Sequence, residues 1–185
     1  RVQPGEWVVV HGCGGIGLSA VMIAVALGGR VLAVDPDPTS LALAAEIGAT
    51  PVPRGDAVAV ADLIVDLTHG GADVSLDAFG SRSTLAASVA SLRPRGRHVQ
   101  VGLLPPVDGH PRVPMSRVIG WELDVLGSHG MAASDYPGML ALLERGALQP
   151  QQLIERTVGL DEAAELLPGF DQAVVAGMTM MDPAR

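Results

Sequence analysis

The sequence contains no lysine: its 12 basic residues are all arginines. A phosphate-binding loop of the Gly-Lys-Ser/Thr type and a Schiff-base lysine for pyridoxal chemistry are therefore excluded. A Tyr-x-x-x-Lys catalytic pair is excluded as well, because the only tyrosine, Tyr136, has Leu140 four residues later. The lack of lysine thus removes several common classes of nucleotide- and cofactor-dependent enzyme.

Cysteine and long apolar runs are scarce too. Cys13 is the only cysteine, so no internal disulfide can form, which is typical of a reducing compartment such as the cytoplasm. The longest apolar run, around residues 18–27, is interrupted by Ser19 and is too short for a membrane span, which needs about 18 apolar residues. The net charge of −8 argues against nucleic acid or an anionic membrane as the main partner.

Predicted strands and helices alternate along most of the chain. Hydrophobic residues make up 48% of the 185 residues, which is enough for a full core. Strands are predicted at residues 8–11, 31–35, 51–53, 74–79, 99–102 and 123–127, with helices between most of them. This alternation predicts an α/β fold of the Rossmann type, a doubly wound six-stranded parallel sheet with helices on both faces.

The last part of the chain departs from this rhythm. A proline-rich loop at 103–114 precedes a short helix and strand six. Beyond these, helices are predicted at 134–144 and 162–167, the second capped by Asp161, and strands at 153–158 and 178–181. We therefore expect residues 1–130 to form the Rossmann domain and residues 131–185 a C-terminal α+β tail. Because Arg1 leads almost directly into a buried strand, we expect the chain to be a piece of a longer polypeptide.

A glycine-rich turn follows the first predicted strand. Its spacing is Gly12-x-Gly14-x-x-Gly17, and Asp35 ends the second strand eighteen residues later. Gly12 permits a tight turn, Gly14 lets the backbone approach a pyrophosphate, and Gly17 lets the helix pack closely on the sheet. The helix N-terminus would face the phosphates, and Asp35 can accept both hydroxyls of an adenosine ribose. A 2′-phosphate would meet this negative charge, so the motif predicts NAD rather than NADP.

Several segments resemble the medium-chain dehydrogenase/reductase superfamily, and most closely its zinc-dependent alcohol dehydrogenases. They are residues 4–10, 11–20, 74–80, 96–102 and 126–130. The resemblance extends over essentially the whole chain but corresponds only to the C-terminal half of such an enzyme. It implies an oxidoreductase that transfers a hydride between an alcohol carbon and NAD, with the zinc ligands in the missing N-terminal half. The chain alone is then expected to bind NAD without turning over an alcohol.

The resemblance also implies cofactor-binding residues by their position. The glycine turn, with Gly15, matches the pyrophosphate-binding turn, and Ile16 matches an apolar residue that lies against the nicotinamide. Phe79 and Gly80 fall near the adenosine side. The residues that fall near the nicotinamide carboxamide are Val101, Gly102 and Leu103. The resemblance implies no catalytic or metal-ligating residue within this chain.

Two positions depart from the pattern of some relatives. Some relatives have a basic residue where this chain has Ser40, and some have an arginine for the pyrophosphate where it has Met178. Both departures are expected to weaken cofactor affinity.

Strand six, at 123–127, is the edge that relatives pair across a dimer axis, so the resemblance implies a homodimer or homotetramer.

For the histidines and Asp77 we expect structural roles. The histidines show no zinc-site spacing, and we expect them to be packed or hydrogen-bonded rather than ligands. His11 is expected to pack locally at a strand end, and Asp77 to make a structural hydrogen bond.

Three alternatives stay open at this point. A zinc-free quinone or enoyl reductase of the same superfamily would often take NADPH, which Asp35 opposes. An S-adenosylmethionine methyltransferase would want Gly-x-Gly-x-Gly with an acid before it, whereas this chain has Ile16 and His11 at those places. A non-catalytic NAD-binding module, such as a redox sensor, is the third alternative.

Overall fold

The computed structural model describes residues 2–53, 55–104, 112–169 and 176–185. The strands in these ranges are β1 (Trp7–His11), β2 (Arg30–Asp35), β3 (Thr50–Pro53), β4 (Ala72–Asp77), β5 (Leu92–Gln100), β6 (Asp124–Gly127), β7 (Ile154–Val158) and β8 (Met178–Met181). The helices are α1 (Gly15–Ala26), α2 (Pro38–Ile47), α3 (Ala57–Thr68), α4 (Arg82–Ala90), α5 (Met115–Gly120), α6 (Tyr136–Glu144) and α7 (Leu160–Leu166). Short 3₁₀ helices lie at Ala133–Asp135, Pro150–Leu153 and Leu167–Gly169.

The main sheet has six strands in the order β3-β2-β1-β4-β5-β6, and each neighbouring pair is parallel. This is the order of a doubly wound Rossmann sheet, so the predicted fold is confirmed. The strand order reverses between β1 and β4. The carboxyl ends of these two strands therefore flank the crevice in which such folds bind ligands.

The strands alternate their side chains between two cores, as a sheet covered on both faces requires. Val8 and Val10 of β1 pack in a cluster with residues of α1 and α2. Val9, between them, packs in a second cluster with residues of α3 and α4. The helices therefore lie on both faces of the sheet, as predicted.

The boundaries of β4 differ from the sequence prediction at both ends. β4 runs from Ala72 to Asp77 rather than over 74–79. It ends early because the Asp77 carboxylate accepts hydrogen bonds from the amides of Phe79 and Gly80, which turns the chain there. The side chain that closes this turn is part of the strand itself, a pattern that hydrophobic periodicity does not detect.

β5 is much longer than predicted. It begins at Leu92 rather than at residue 99, and α4 accordingly ends at Ala90 rather than near 92. The pairing of β5 with β4 is interrupted by an irregularity in register, and Arg95 within it has a φ of 62°. Pro94 and Gly96 obscured the strand in the sequence, because a bulged strand tolerates residues that a regular strand does not.

The C-terminal tail forms its own small sheet but contacts the main domain. β7 and β8 pair in parallel as a separate two-stranded sheet. Leu148 and Leu153 are buried in the same cluster as α1. Gly177, just before β8, forms a β-bridge with Gly14 of the glycine-rich turn. The tail therefore touches the predicted cofactor site directly.

Two further expectations concern the ends of elements. Asp161 does not cap α7: Gly159 is the N-cap, and Asp161 lies in the first turn, where its charge is favourable to the helix dipole. Of the loop predicted at 103–114, residues 105–111 lie outside the described residues. Within the described ranges, no helix is both long enough and apolar enough to cross a membrane.

Candidate cofactor-binding site

The predicted site residues all lie at the carboxyl edge of the main sheet. The glycine-rich turn follows β1, Asp35 is the last residue of β2, and Phe79 and Gly80 follow β4. The residues after β5 are Val101, Gly102 and Leu103. In the register of the sheet, His11 at the end of β1 is opposite Val34 on one side and Asp77 on the other. The fold therefore brings together segments that are far apart in the sequence.

Two glycines of the turn are required by the protein's own packing. Gly12 has a φ of 91°, and a Cβ atom there would lie 2.9 Å from the Cβ of Phe79. A Cβ atom on Gly17 would overlap the carbonyl oxygen of Gly12. The geometry agrees with a tight turn at Gly12 and close helix packing at Gly17.

Gly14 is different, because no contact with the described residues requires it to be a glycine. It precedes α1 as the N-cap with φ −73° and ψ −170°, a conformation open to any residue. A Cβ atom on Gly14 would have no described atom within 4 Å. The space beside this backbone, at the positive end of the α1 dipole, is open to a ligand.

The next two residues of the turn face different surroundings. Gly15 lies beneath Met178 of β8, since a Cβ atom on Gly15 would be 3.1 Å from the Cγ of Met178. The structure thus places Met178 beside the glycine-rich turn. Ile16 is 59% exposed although it is a large apolar residue. The start of α1 therefore offers an apolar side chain next to backbone amides.

The Asp35 carboxylate is held by the backbone and keeps capacity for a ligand. Its Oδ2 accepts the amide of Cys13 at 2.6 Å, and its Oδ1 accepts the amide of Asp37 at 2.8 Å. Each carboxylate oxygen can accept a further hydrogen bond. Asp35 is partly exposed, so two hydroxyl groups could reach it from solvent.

Cys13 has no reactive surroundings in this turn. Its side chain is buried, and its thiol lies 3.9 Å from the carbonyl oxygen of Val34. Burial, with a smaller contribution from the charge of Asp35, raises the pKa of the thiol to about 12. A thiol with this pKa is a poor nucleophile, so the backbone of Cys13 carries its contribution to the site.

The loops after β4 and β5 touch each other backbone to backbone. Gly80 has a φ of 83°, and a Cβ atom there would overlap the carbonyl oxygen of Leu103. A Cβ atom on Gly102 would overlap the amide nitrogen of Gly80. Phe79 and Leu103 are 64% and 84% exposed, so the paired loops present two apolar side chains to solvent.

The sequence identified Asp77 only as a structural residue and did not identify Gln100 at all. Asp77 is fully buried, as expected of such a residue. Its carboxylate accepts the amides of Phe79 and Gly80 and also the side chains of Thr84 and Gln100. A glutamine at the end of a strand has no distinctive spacing, so only the structure shows this contact.

Two histidines are buried near the site, and neither has metal-ligand surroundings. Burial, with a smaller contribution from nearby His98, lowers the pKa of His11 to about 3. His98 is hydrogen-bonded to Ser88 and Gln100, which confirms the expectation of a bonded histidine. Among the described residues, no group of three or more histidine, cysteine or acidic side chains could hold a metal ion.

The sequence model of the zinc-binding dehydrogenase family matches residues 15–145. The chain belongs to this family. The match confirms the resemblance drawn from the sequence and favours it over the methyltransferase alternative. It also covers the glycine-rich turn from Gly15 onward, together with Asp35 and the loops after β4 and β5.

Known dehydrogenases and reductases match more of the chain than the family model does. D-xylulose reductase A from Aspergillus oryzae is 32% identical over 174 residues, covering 89% of this chain and 47% of that protein. Sorbitol dehydrogenase from Halalkalibacterium halodurans is 30% identical over 166 residues, covering 87% and 47%. The crystal structure of alcohol dehydrogenase from Aeropyrum pernix superposes with a TM-score of 0.83 at 27% identity, covering 99% of this chain and 52% of that one. The chain thus spans about half the length of the curated relatives it matches.

Proposed function

We propose that this chain is the NAD-binding part of a zinc-dependent alcohol dehydrogenase. The whole protein would oxidise an alcohol to an aldehyde or ketone by hydride transfer to NAD. Membership of the family supports this proposal, and so do relatives named for their action on polyols and alcohols. NAD would accept the hydride, and the chain's own residues would bind and orient it.

The observation that carries the proposal is the open space beside Gly14. The backbone conformation of Gly14 suits any residue, and the packing leaves room for a side chain. A ligand that approaches the backbone closely gives a physical reason for glycine here, and a pyrophosphate at the N-terminus of α1 is such a ligand.

The remaining residues would hold the two ends of the cofactor. The amides of Gly14, Gly15 and Gly17 would surround the pyrophosphate, and Asp35 would accept the adenosine ribose hydroxyls. Ile16 would lie against the nicotinamide. The residues proposed to line the adenosine and carboxamide ends are Phe79, Gly80, Val101, Gly102 and Leu103. The exposure of Phe79 and Leu103 and the place of all five residues at one sheet edge support these roles.

The charge of Asp35 supports NAD rather than NADP. A 2′-phosphate would have to lie within a few ångströms of this carboxylate, and like charges at that distance repel. The same feature disfavours the zinc-free quinone and enoyl reductases that use NADPH.

The whole protein would contain parts that lie outside this chain. The described residues hold no metal-ligand cluster, so zinc is proposed to bind to another part of the polypeptide. The tail, residues 131–185, is proposed to return toward that part, which its separate β7–β8 sheet supports. A homodimer or homotetramer through the exposed edge strand β6 is proposed as well. A cytoplasmic location would suit the single buried cysteine.

The proposal is tested by substituting Gly14→Ala and measuring NADH binding by calorimetry. The added methyl group would have no described atom within 4 Å, so we expect the free energy of unfolding to change by no more than about 1 kcal/mol. It should nevertheless weaken NADH binding by roughly ten-fold or more, because it lies where the pyrophosphate would approach.

Gly138→Ala is the matched control, since a Cβ atom there also has no described neighbour within 4 Å. It should leave NADH affinity unchanged. If Gly14→Ala binds NADH as tightly as the wild type, the glycine-rich turn does not bind the pyrophosphate and the proposal is wrong.

A further inference from the structure

A chain of buried hydrogen bonds connects α4 with the carboxyl ends of β4 and β5. Ser75 Oγ lies 2.6 Å from Ser88 Oγ, which lies 2.9 Å from Nδ1 of His98. Nε2 of His98 is 3.1 Å from Oε1 of Gln100, and Nε2 of Gln100 is 3.0 Å from Oδ2 of Asp77. Ser75, Ser88, His98 and Asp77 are all fully buried. This series of hydrogen bonds ends at the carboxyl ends of β4 and β5, from which the two loops of the candidate site begin.

The Asp77 carboxylate sets the direction of these hydrogen bonds. A carboxylate only accepts, so Nε2 of Gln100 donates to it, and Oε1 of Gln100 must accept from Nε2 of His98. Neutral His98 then carries its proton on Nε2, and its Nδ1 accepts from Ser88. Burial lowers the pKa of His98, which agrees with a neutral ring. Every member of the chain is satisfied in a single arrangement.

The loop after β5 is held by hydrogen bonds to Asp77 and Gln100, which lie at one end of this hydrogen-bond series. The main-chain oxygen of Asp77 accepts the amides of Val101 and Gly102 at 3.0 and 2.8 Å. Nε2 of Gln100, besides donating to Asp77, donates to the carbonyl oxygen of Gly102 at 2.7 Å. The amide of Gly102 is therefore bonded to β4 and its carbonyl oxygen to Gln100 of β5, while Leu103 beside it is 84% exposed.

We propose that Asp77 and Gln100 are positioning residues that hold the loop after β5 in place for the nicotinamide end of the cofactor. This inference rests on the proposed function. Neither residue needs to touch the cofactor. Each acts through Gly102, whose backbone the pair fixes against Gly80. Burying a series of polar side chains is costly unless every one of them is hydrogen-bonded. Because this series lies beneath the loops after β4 and β5, we infer that it serves the geometry of those loops.

The test compares NADH with ADP-ribose, which lacks the nicotinamide, in calorimetric titrations of the 185-residue chain. Gln100→Met keeps the length of the side chain and removes its three hydrogen bonds, to Asp77, Gly102 and His98. We expect the Kd for NADH to rise about five-fold, as the loss of the hydrogen bonds to Asp77 and Gly102 implies, while the Kd for ADP-ribose stays unchanged. A purely structural role would lower the melting temperature without changing the ratio of the two Kd values.

Ser75→Ala is the matched control, because it breaks the far end of the same buried chain. It should lower thermal stability and leave both Kd values unchanged. If Gln100→Met does not fold, Gln100→Asn keeps the amide but shortens its reach, and the same split between the two ligands is expected at a smaller size.

Three results would overturn the inference. The first is an equal change of both Kd values in the Gln100 variant, and the second is no change in either. The third is a Ser75→Ala variant with the same split as the Gln100 variant. A wild-type chain that binds neither NADH nor ADP-ribose would contradict the proposed function itself. The three results above contradict only the role of Asp77 and Gln100, so the two failures can be told apart.

Discussion

The glycines of the turn between β1 and α1 are explained by different neighbours. Gly12 is constrained by its positive φ and by Phe79, and Gly17 by the carbonyl oxygen of Gly12. Gly15 lies beneath Met178, and only Gly14 faces open space. At the scale of single residues, therefore, one motif contains positions that serve the fold and one position, Gly14, that we propose serves a ligand.

Asp35 is the residue whose substitution should change cofactor preference. Asp35→Gly removes the charge that would repel a 2′-phosphate, so we expect the ratio of the Kd values for NADPH and NADH to fall by roughly ten-fold or more. Titration of both cofactors measures this ratio directly.

Asp37→Ser provides the control for that experiment. It removes a neighbouring carboxylate but keeps a side chain that can cap α2, as Asp37 does through the amide of Ser40. A ratio that changes equally in both variants, or in neither, would count against a ribose role for Asp35.

At the scale of elements, the edge strand β6 and the tail are the parts least covered by the main domain. All four residues of β6 are exposed, and Val125 and Leu126 are 44% and 40% exposed. An apolar edge strand with free backbone groups invites pairing with another strand. The tail instead contacts the domain through Leu148, Leu153 and the bridge at Gly177.

The β6 edge yields a prediction about assembly. Leu126→Lys should raise the dissociation constant of the proposed dimer by about ten-fold or more, because it replaces an exposed apolar side chain of the edge strand with a charge. Sedimentation velocity over a range of concentrations measures the effect. Met180→Lys, at an exposed position of β8, should leave the assembly unchanged. Equal sedimentation of both variants and the wild type would exclude β6 as the interface.

At the scale of the whole molecule, the buried histidines link stability to pH. His11 lies at the centre of the sheet, and burial lowers its pKa from an ordinary 6.5 to about 3. The folded chain therefore keeps His11 neutral at pH values at which the unfolded chain binds a proton. Stability should consequently fall as the pH decreases from about 6.5 toward 3, by about 1.4 kcal/mol per pH unit for this one group.

His11→Phe isolates that contribution. When the pH is lowered from 7.5 to 5, the free energy of unfolding should fall by about 2 kcal/mol less in the variant than in the wild type, because the variant has no histidine here to bind a proton in the unfolded chain. Urea denaturation at both pH values measures the difference. His129→Gln, which removes a histidine at an exposed position, provides the comparison. A His11→Phe variant with the same pH dependence as the wild type would show that His11 is protonated in the folded chain.

Much of the fold could be predicted because local patterns and tertiary packing agree along the chain. The alternation of strands and helices predicted the Rossmann sheet, and the spacing from Gly12 to Asp35 predicted which strand tips would meet. β5 was predicted too short because Pro94 and Gly96 lie inside a bulged strand, where pairing with β4 outweighs local propensity. The cap of α7 was misplaced by two residues because Gly159 and Asp161 are both common at helix starts.

The sequence by itself determined the order of the elements, the glycine-rich turn and the acid at the end of β2, because each depends on neighbours within a short stretch of chain. Only the tertiary structure decided which glycines the protein itself needs, that Gln100 joins Asp77, and that Gly177 reaches Gly14. Those contacts join residues on separate strands or at opposite ends of the chain. Their partners are chosen by how strands align and helices pack, which no local spacing encodes.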